Sequence, residues 1–233
     1  LPPHIFERLQ DPRVIESVIP VETPADWWRV RDRAILALLV DTGITTSELI
    51  ALRGAHLVLA EQTFSLSQKE PAQLAIKVVG SSKCGDRILP ISYTTMQILF
   101  KWLRWRKVLL REHVARSGAL APSRDPLITL DSQWPLFISR YMRGRAEGSP
   151  IDATSLYLYT SKALKRLFQE TVLNSNAVDV TTPHQAMGPA IIRHTVICQW
   201  LTTFGPEETA IRAGLRRIEL LRSYSEHIES SLP

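Results

Sequence analysis

The 233-residue chain has two cysteines and three methionines, and none of its apolar runs approaches the roughly 20 residues that a membrane-crossing helix needs. Cys84 lies in a turn and Cys198 in an apolar stretch, a number and setting that support neither a disulfide framework nor a metal site. A reducing cytoplasm is the expected compartment, and no charged-then-apolar leader opens the chain. There is no Gly-rich phosphate loop, no nucleophile-elbow serine and no metal-ligand cluster. Nucleotide hydrolases and zinc enzymes therefore lack support, and no cofactor or metal is expected. Internal repeats and low-complexity tracts are also missing.

What is present is an ordinary globular composition, 45% hydrophobic and 22% charged, with length enough for a substantial core. Twenty-eight Lys and Arg stand against 23 Asp and Glu, a net charge of +5 with a pI near 9.4. That balance permits a nucleic-acid partner without requiring one.

Residues 1–24 are punctuated by Pro2, Pro3, Pro12, Pro20 and Pro24. They are expected to form a linker with short helices at 5–9 and 14–17, followed by one domain over 25–233. From Asp26 to Val40, Trp27, Val30, Ala34, Ile35 and Leu38 recur near the helical period, and Gly43 should end that helix. Thr45 and Glu48 have the spacing of a capping box for a helix at 46–52, with an apolar stretch at 57–59 beyond it. Residues 63–67, 73–79 and 87–92 predict a small antiparallel sheet. A helix over 93–116 places Met96, Leu99, Phe100, Leu103, Val108 and Leu110 on one broad face. Lys101, Arg104, Arg106, Lys107 and Arg111 crowd the rest, with Trp102 and Trp105 among them. A loop with a short strand at 127–130 follows, then a basic segment containing Arg140, Arg143 and Arg145. A helix at 155–172 turns Lys162, Lys165 and Arg166 outward and Leu156, Leu158, Leu164, Leu167 and Phe168 inward. The cations of these segments are candidate phosphate contacts, and a solvated helix face, or an exposed loop at 140–145, is the more ordinary explanation.

The last part of the chain carries the most chemistry. Arg193 and His194 open an apolar helix, Gly205 and Pro206 break it, Gly214 follows, and Tyr224 sits in a basic helix. An arginine in a helix's first turn is poorly placed for the macrodipole, which suggests an anion partner.

This order resembles the C-terminal signature of the tyrosine recombinases, or phage integrases, in which His-x-x-Arg-His starts a helix, Leu-Gly-His follows and the nucleophilic Tyr comes nine residues later. Arg31 to Leu59 is similar to the family's first box, Thr-Gly-x-Arg-x-Ser-Glu-Leu. Val78 to Ser92 is similar to its hairpin, which carries a catalytic Lys and ends in Arg-x-x-Pro-Leu. The resemblance implies an α+β fold, mostly helical with a three-stranded antiparallel sheet, the tyrosine recombinase catalytic-domain fold. It also implies that a helical DNA-gripping domain precedes this part, and its lack here, in a chain that starts without Met, is expected of a fragment. The implied chemistry is metal-free phosphoryl transfer. Tyr224 would attack a DNA phosphodiester, Arg193 would hold the non-bridging oxygens, and Lys83 would protonate the leaving oxygen.

Against the family pattern several positions are degenerate. The first clamp Arg falls at Thr45, the first His of the second box at Ala190, and the His of the third box at Leu215, or at Arg217 if the gap is shifted. His184 stands nine residues before Arg193 instead of three and could substitute only if 185–189 loop out. The resemblance therefore leaves three expectations. One is a DNA-binding protein with impaired or lost cleavage, acting on duplex DNA through Lys83, Arg193, Arg104, Lys107, Arg140, Arg143, Lys162 and Arg166, and assembling with itself or a related recombinase. The alternative is an active site-specific recombinase cutting through Tyr224. The third is a protein-interaction module that has kept only the fold. No membrane association is expected.

Overall fold

A computed structural model describes residues 1–60, 73–80, 85–117, 131–140, 148–175 and 187–225. Its centre is helix α3, Trp27–Thr42, in which every residue from Ala34 to Val40 is buried. A helix buried on all sides needs covering elements on all sides, and α5 (Tyr93–Ser117), α6 (Ala153–Ser175) and α7 (Pro189–Ala213) supply them. Two short helices, α1 (Pro3–Leu9) and α2 (Pro12–Val18), begin where proline occupies the first helical position, a preset φ with no amide to waste. Lying in the segment expected to be a linker, they add Ile5, Phe6, Leu9, Ile15 and Val18 to the same core.

Helix α3 ends at Gly43 in a left-handed conformation, and α4 (Thr46–Ala51) starts three residues on. The capping box predicted from Thr45 and Glu48 forms: the Thr45 hydroxyl accepts from the Glu48 amide at 3.2 Å, and Glu48 accepts from the Thr45 amide at 2.8 Å. A sheet of β1 (Leu57–Ala60), β2 (Gln73–Val78) and β3 (Arg87–Pro90) follows, antiparallel in the order β1-β2-β3, with Leu57 opposite Ile76 and Ile76 opposite Leu89. The first strand is thus the stretch read only as apolar at 57–59. Four apolar residues give too little periodicity to tell a strand from a buried turn, and pairing with 73–76 decides it. The expected strands at 63–67 and 127–130 lie outside the described residues.

Helix α5 corrects its predicted face. Ile98, Leu99, Trp102, Arg106 and Leu110 are buried, whereas Phe100 and Val108 are exposed. Arg106 turns inward because it straps the 131–135 segment, donating to the Pro135 carbonyl at 2.9 Å, the Trp134 carbonyl at 2.9 Å and the Asp131 side chain. Trp102 donates to the Leu136 carbonyl at 2.8 Å and lies in a stack between Trp27 and Phe137. In α6, Leu158 is 58% exposed instead of facing the core, while Leu156, Leu164, Leu167 and Phe168 are buried as expected. Among the described residues no helix is long and apolar enough to cross a membrane.

Candidate phosphate site

The segment from Pro189 onward folds as the sequence suggests. Pro189 starts α7, Gly205 interrupts it at φ 78°, and the helix ends at Gly214 (φ 68°), where the Leu215 amide closes back onto the Ala210 carbonyl at 2.8 Å. A 3-10 turn, Ile218–Leu221, then leads into one more helical turn that holds Tyr224.

Arg193, in the first turns of α7, reaches across to two helix ends. Its guanidinium donates to the carbonyl of Gly43, which caps α3, and at 2.8 Å to that of Ala213, the last residue of its own helix beyond the break. Carbonyls at helix C-termini carry the negative end of the macrodipole, so a guanidinium is well placed there. The anion partner suggested by its helix position is thus not needed to explain where Arg193 sits.

Tyr224 is half-buried and packs on the core. Its ring lies 5.2 Å from that of His194, tilted by 53°. Burial pushes the Tyr224 hydroxyl above the ordinary tyrosine value, the Arg193 charge opposes this, and Cys198 adds to it. A phenol held in its protonated form is a weak nucleophile unless a base takes its proton. His194 was missed as a site residue; the Arg-His dipeptide was its only signal, and the Tyr contact is made 30 residues away in sequence.

A second cluster joins the first box, the hairpin and the third box. Arg87 of β3 donates two hydrogen bonds to Glu48, at 2.7 and 2.9 Å, with both side chains buried. The same guanidinium rests on Gly214, where an added Cβ would come within 2.5 Å of Nη1. The Gly85 amide donates to the Gly214 carbonyl at 3.0 Å. The base of the hairpin turn is thereby tied to the turn that precedes Tyr224.

The structure brings Arg193, His194 and Tyr224 together, with Gly43 as the link to the Thr45 loop. Thr45 keeps its hydroxyl and amide in the helix cap. Ala190 is exposed on α7, Leu215 is half-buried against the core, and Arg217 is exposed at the head of the 3-10 turn. Lys83, Arg143 and His184 lie outside the described residues. Of the other cations, Lys162 is exposed, Arg166 donates to the Val18 carbonyl at 3.2 Å, and the Arg140 guanidinium covers the Trp28 ring at 3.7 Å. Arg104 and Lys107 are exposed on α5. Among the described residues no group of His, Cys, Asp and Glu could hold a metal ion.

No protein-family model matches the chain, and no curated relative does. Solved structures do. The chain is similar to a XerA recombinase over its whole length, with 16% identity and a TM-score of 0.56, covering 63% of that protein. It is also similar to the XerH site-specific recombinase bound to its difH substrate in a pre-cleavage complex (17% identity, TM-score 0.59, 100% of this chain and 52% of that one). The post-cleavage complex of XerH on a palindromic difH substrate gives 17% identity and a TM-score of 0.60, over 99% of this chain and 50% of that one. The chain thus spans between half and two thirds of the length of these structures, and its fold is that of a tyrosine recombinase catalytic domain.

Proposed function

We propose, for a chain with the tyrosine recombinase fold, that this protein binds duplex DNA in a recombination or integration setting and has lost most or all strand cleavage. The observation that carries this reading is Tyr224 standing beside Arg193 while the positions around them hold a capping Thr45, Ala190 and Leu215. In the cleavage reaction the tyrosine oxygen bonds to phosphorus and the bond to the 5′ oxygen breaks, leaving a 3′-phosphotyrosine. Charge then builds on the non-bridging oxygens and must meet preorganised donors. Each missing donor of this kind removes roughly 2.7–4 kcal/mol of transition-state stabilisation. The XerH structures hold that recombinase on its substrate before and after cleavage, which supports nucleic acid as the ligand class here. On this reading Arg193 and Lys83 hold a phosphate, with Arg140, Arg143, Lys162 and Arg166 as further backbone contacts, and Tyr224 is idle. A second copy or a related recombinase is the expected partner on DNA.

A second reading, an active recombinase, is favoured by one observation: the His194 ring packs against the Tyr224 ring at 5.2 Å between centroids, which brings an imidazole beside the phenol ring. A nicked suicide substrate with the full-length protein separates the two. The first reading expects DNA binding that weakens steeply with salt and no covalent adduct. An adduct that Tyr224→Phe abolishes establishes the second. Arg193→Ala should weaken DNA binding and Tyr224→Phe should leave it unchanged; an equal loss from both removes the idle-tyrosine reading.

A further inference from the structure

Helix α5 buries one side and leaves the other uncovered. Its outer line is Tyr93, Phe100, Arg104, Lys107, Val108 and Arg111, spaced three, four and seven apart so that they share one face. The apolar members are 69%, 46% and 41% exposed for Tyr93, Phe100 and Val108, and the three cations are exposed as well. Flanking cations of the same helix are answered by carboxylates: Lys101 pairs with Glu16 at 2.8 Å and Arg116 with Glu112 at 3.4 Å. Among the described residues no carboxylate pairs with Arg104, Lys107 or Arg111.

The three cations of this face stand apart from the phosphate site, whereas Tyr93, next to Ser92, lies at the Gly43 end. The Ser92 amide, just before α5, donates to Asp41 at 2.7 Å near the Gly43 end of α3, while Trp102 stacks on Trp27 at the opposite end. The two helices therefore run antiparallel. Arg104, Lys107 and Arg111 lie at the far end of α3, which at 1.5 Å per residue is about 24 Å from the carbonyl that holds Arg193.

We propose that this face of α5 binds an acidic amphipathic helix of a partner protein, with Arg104, Lys107 and Arg111 meeting its carboxylates and Tyr93, Phe100 and Val108 its apolar side chains. A duplex backbone would satisfy the cations but leave three large apolar groups in water. An amphipathic acidic helix covers both, and arginine and aromatic residues are the side chains enriched at protein interfaces. Arg104 and Lys107 then leave the list of DNA contacts. The inference rests on the proposed function only in taking DNA to be bound elsewhere.

The test uses the full-length protein and three labelled probes in fluorescence anisotropy. These are a synthetic 21-residue amphipathic peptide with a leucine stripe and a glutamate face, the same peptide with lysine in place of glutamate, and a 30-base-pair duplex. The glutamate peptide should bind at least tenfold tighter than the lysine peptide. Arg104→Glu with Lys107→Glu and Arg111→Glu should cost at least tenfold on that peptide and less than twofold on the duplex. Phe100→Ser with Val108→Ser keeps the charges and should weaken the peptide at least threefold, with circular dichroism confirming the fold of each variant. Equal binding of the two peptides overturns the proposal, as does a charge reversal that weakens the duplex as much as the glutamate peptide. Loss of duplex binding in every variant, including the unaltered protein, would instead count against the proposed function alone.

Discussion

Two buried arginine–carboxylate pairs, one within the first turns of α3 and one just beyond its Gly43 end, have carboxyls that shift in opposite directions. At the Trp27 end, Arg31 is fully buried between the Trp27 and Tyr159 rings and directs Nε and Nη2 at a single oxygen of Asp32, at 2.9 and 2.6 Å. Burial raises the Asp32 carboxyl above its usual range, and Arg31 only partly offsets this. Beyond the Gly43 end, burial also works against the Glu48 carboxylate, but Arg87 engages both of its oxygens and the Thr45 amide adds a third donor, so it falls below its usual value. Asp32 lies the deeper of the two and takes its donors on one oxygen, whereas Glu48 takes three donors on two, so depth and donor number together decide which ionised form is comfortable. The aromatic end is held by packing with a pair that the fold tolerates. The end near Tyr224 is held by a pair that the fold exploits.

The largest expected effect breaks the first pair. Arg31→Met strands a buried carboxylate and should cost about 3–5 kcal/mol in denaturant unfolding at neutral pH. Part should return as pH falls, because Asp32 can then take up a proton; a pH-independent loss would refute this account. Next, Glu48→Gln should cost about 1.5–3 kcal/mol, the usual worth of hydrogen bonds to a charged group. Its sign with pH is opposite. A lowered carboxyl stabilises the protein above its unfolded value and loses that contribution as pH falls through the folded one, so the native protein should weaken below about pH 4.5 and the variant much less. Thermal melts across that range check it. Gly214→Ala forces a side chain into the left-handed region and against Arg87, an expected loss of about 1–2 kcal/mol from the backbone alone. Its Glu48→Gln double variant should lose less than the sum, since both changes disturb one guanidinium. The smallest effect is Thr45→Ala, about 1 kcal/mol for a lost cap, with no change in DNA affinity if position 45 serves only the helix.

Local features were legible where physics acts locally. The α3 stripe, the Gly43 stop, the Thr45–Glu48 cap and the Gly205 break all follow from period, capping chemistry and backbone freedom within a few residues. The order of the three boxes located Arg193 and Tyr224. Hidden from the sequence were contacts made over long separations. Arg106 looked like a solvated cation because the carbonyls that bury it are 28 and 29 residues away, and that inward turn is also what rolls Phe100 and Val108 outward. Arg87 and Glu48 are 39 residues apart, and Arg193 finds the Gly43 carbonyl 150 residues back. No periodicity or spacing encodes such partners.

The interruption at Gly205 has a mechanical meaning when set beside the Arg193 bond to the Ala213 carbonyl. The two arms of α7 meet at a joint with no helical stiffness of its own, and that guanidinium is one of the stays across it, beside the Gly85 bond to Gly214 and the Arg87 side chain against that glycine. Whatever draws Arg193 away from the carbonyl slackens one stay and leaves the hairpin to hold the arm that leads to the tyrosine.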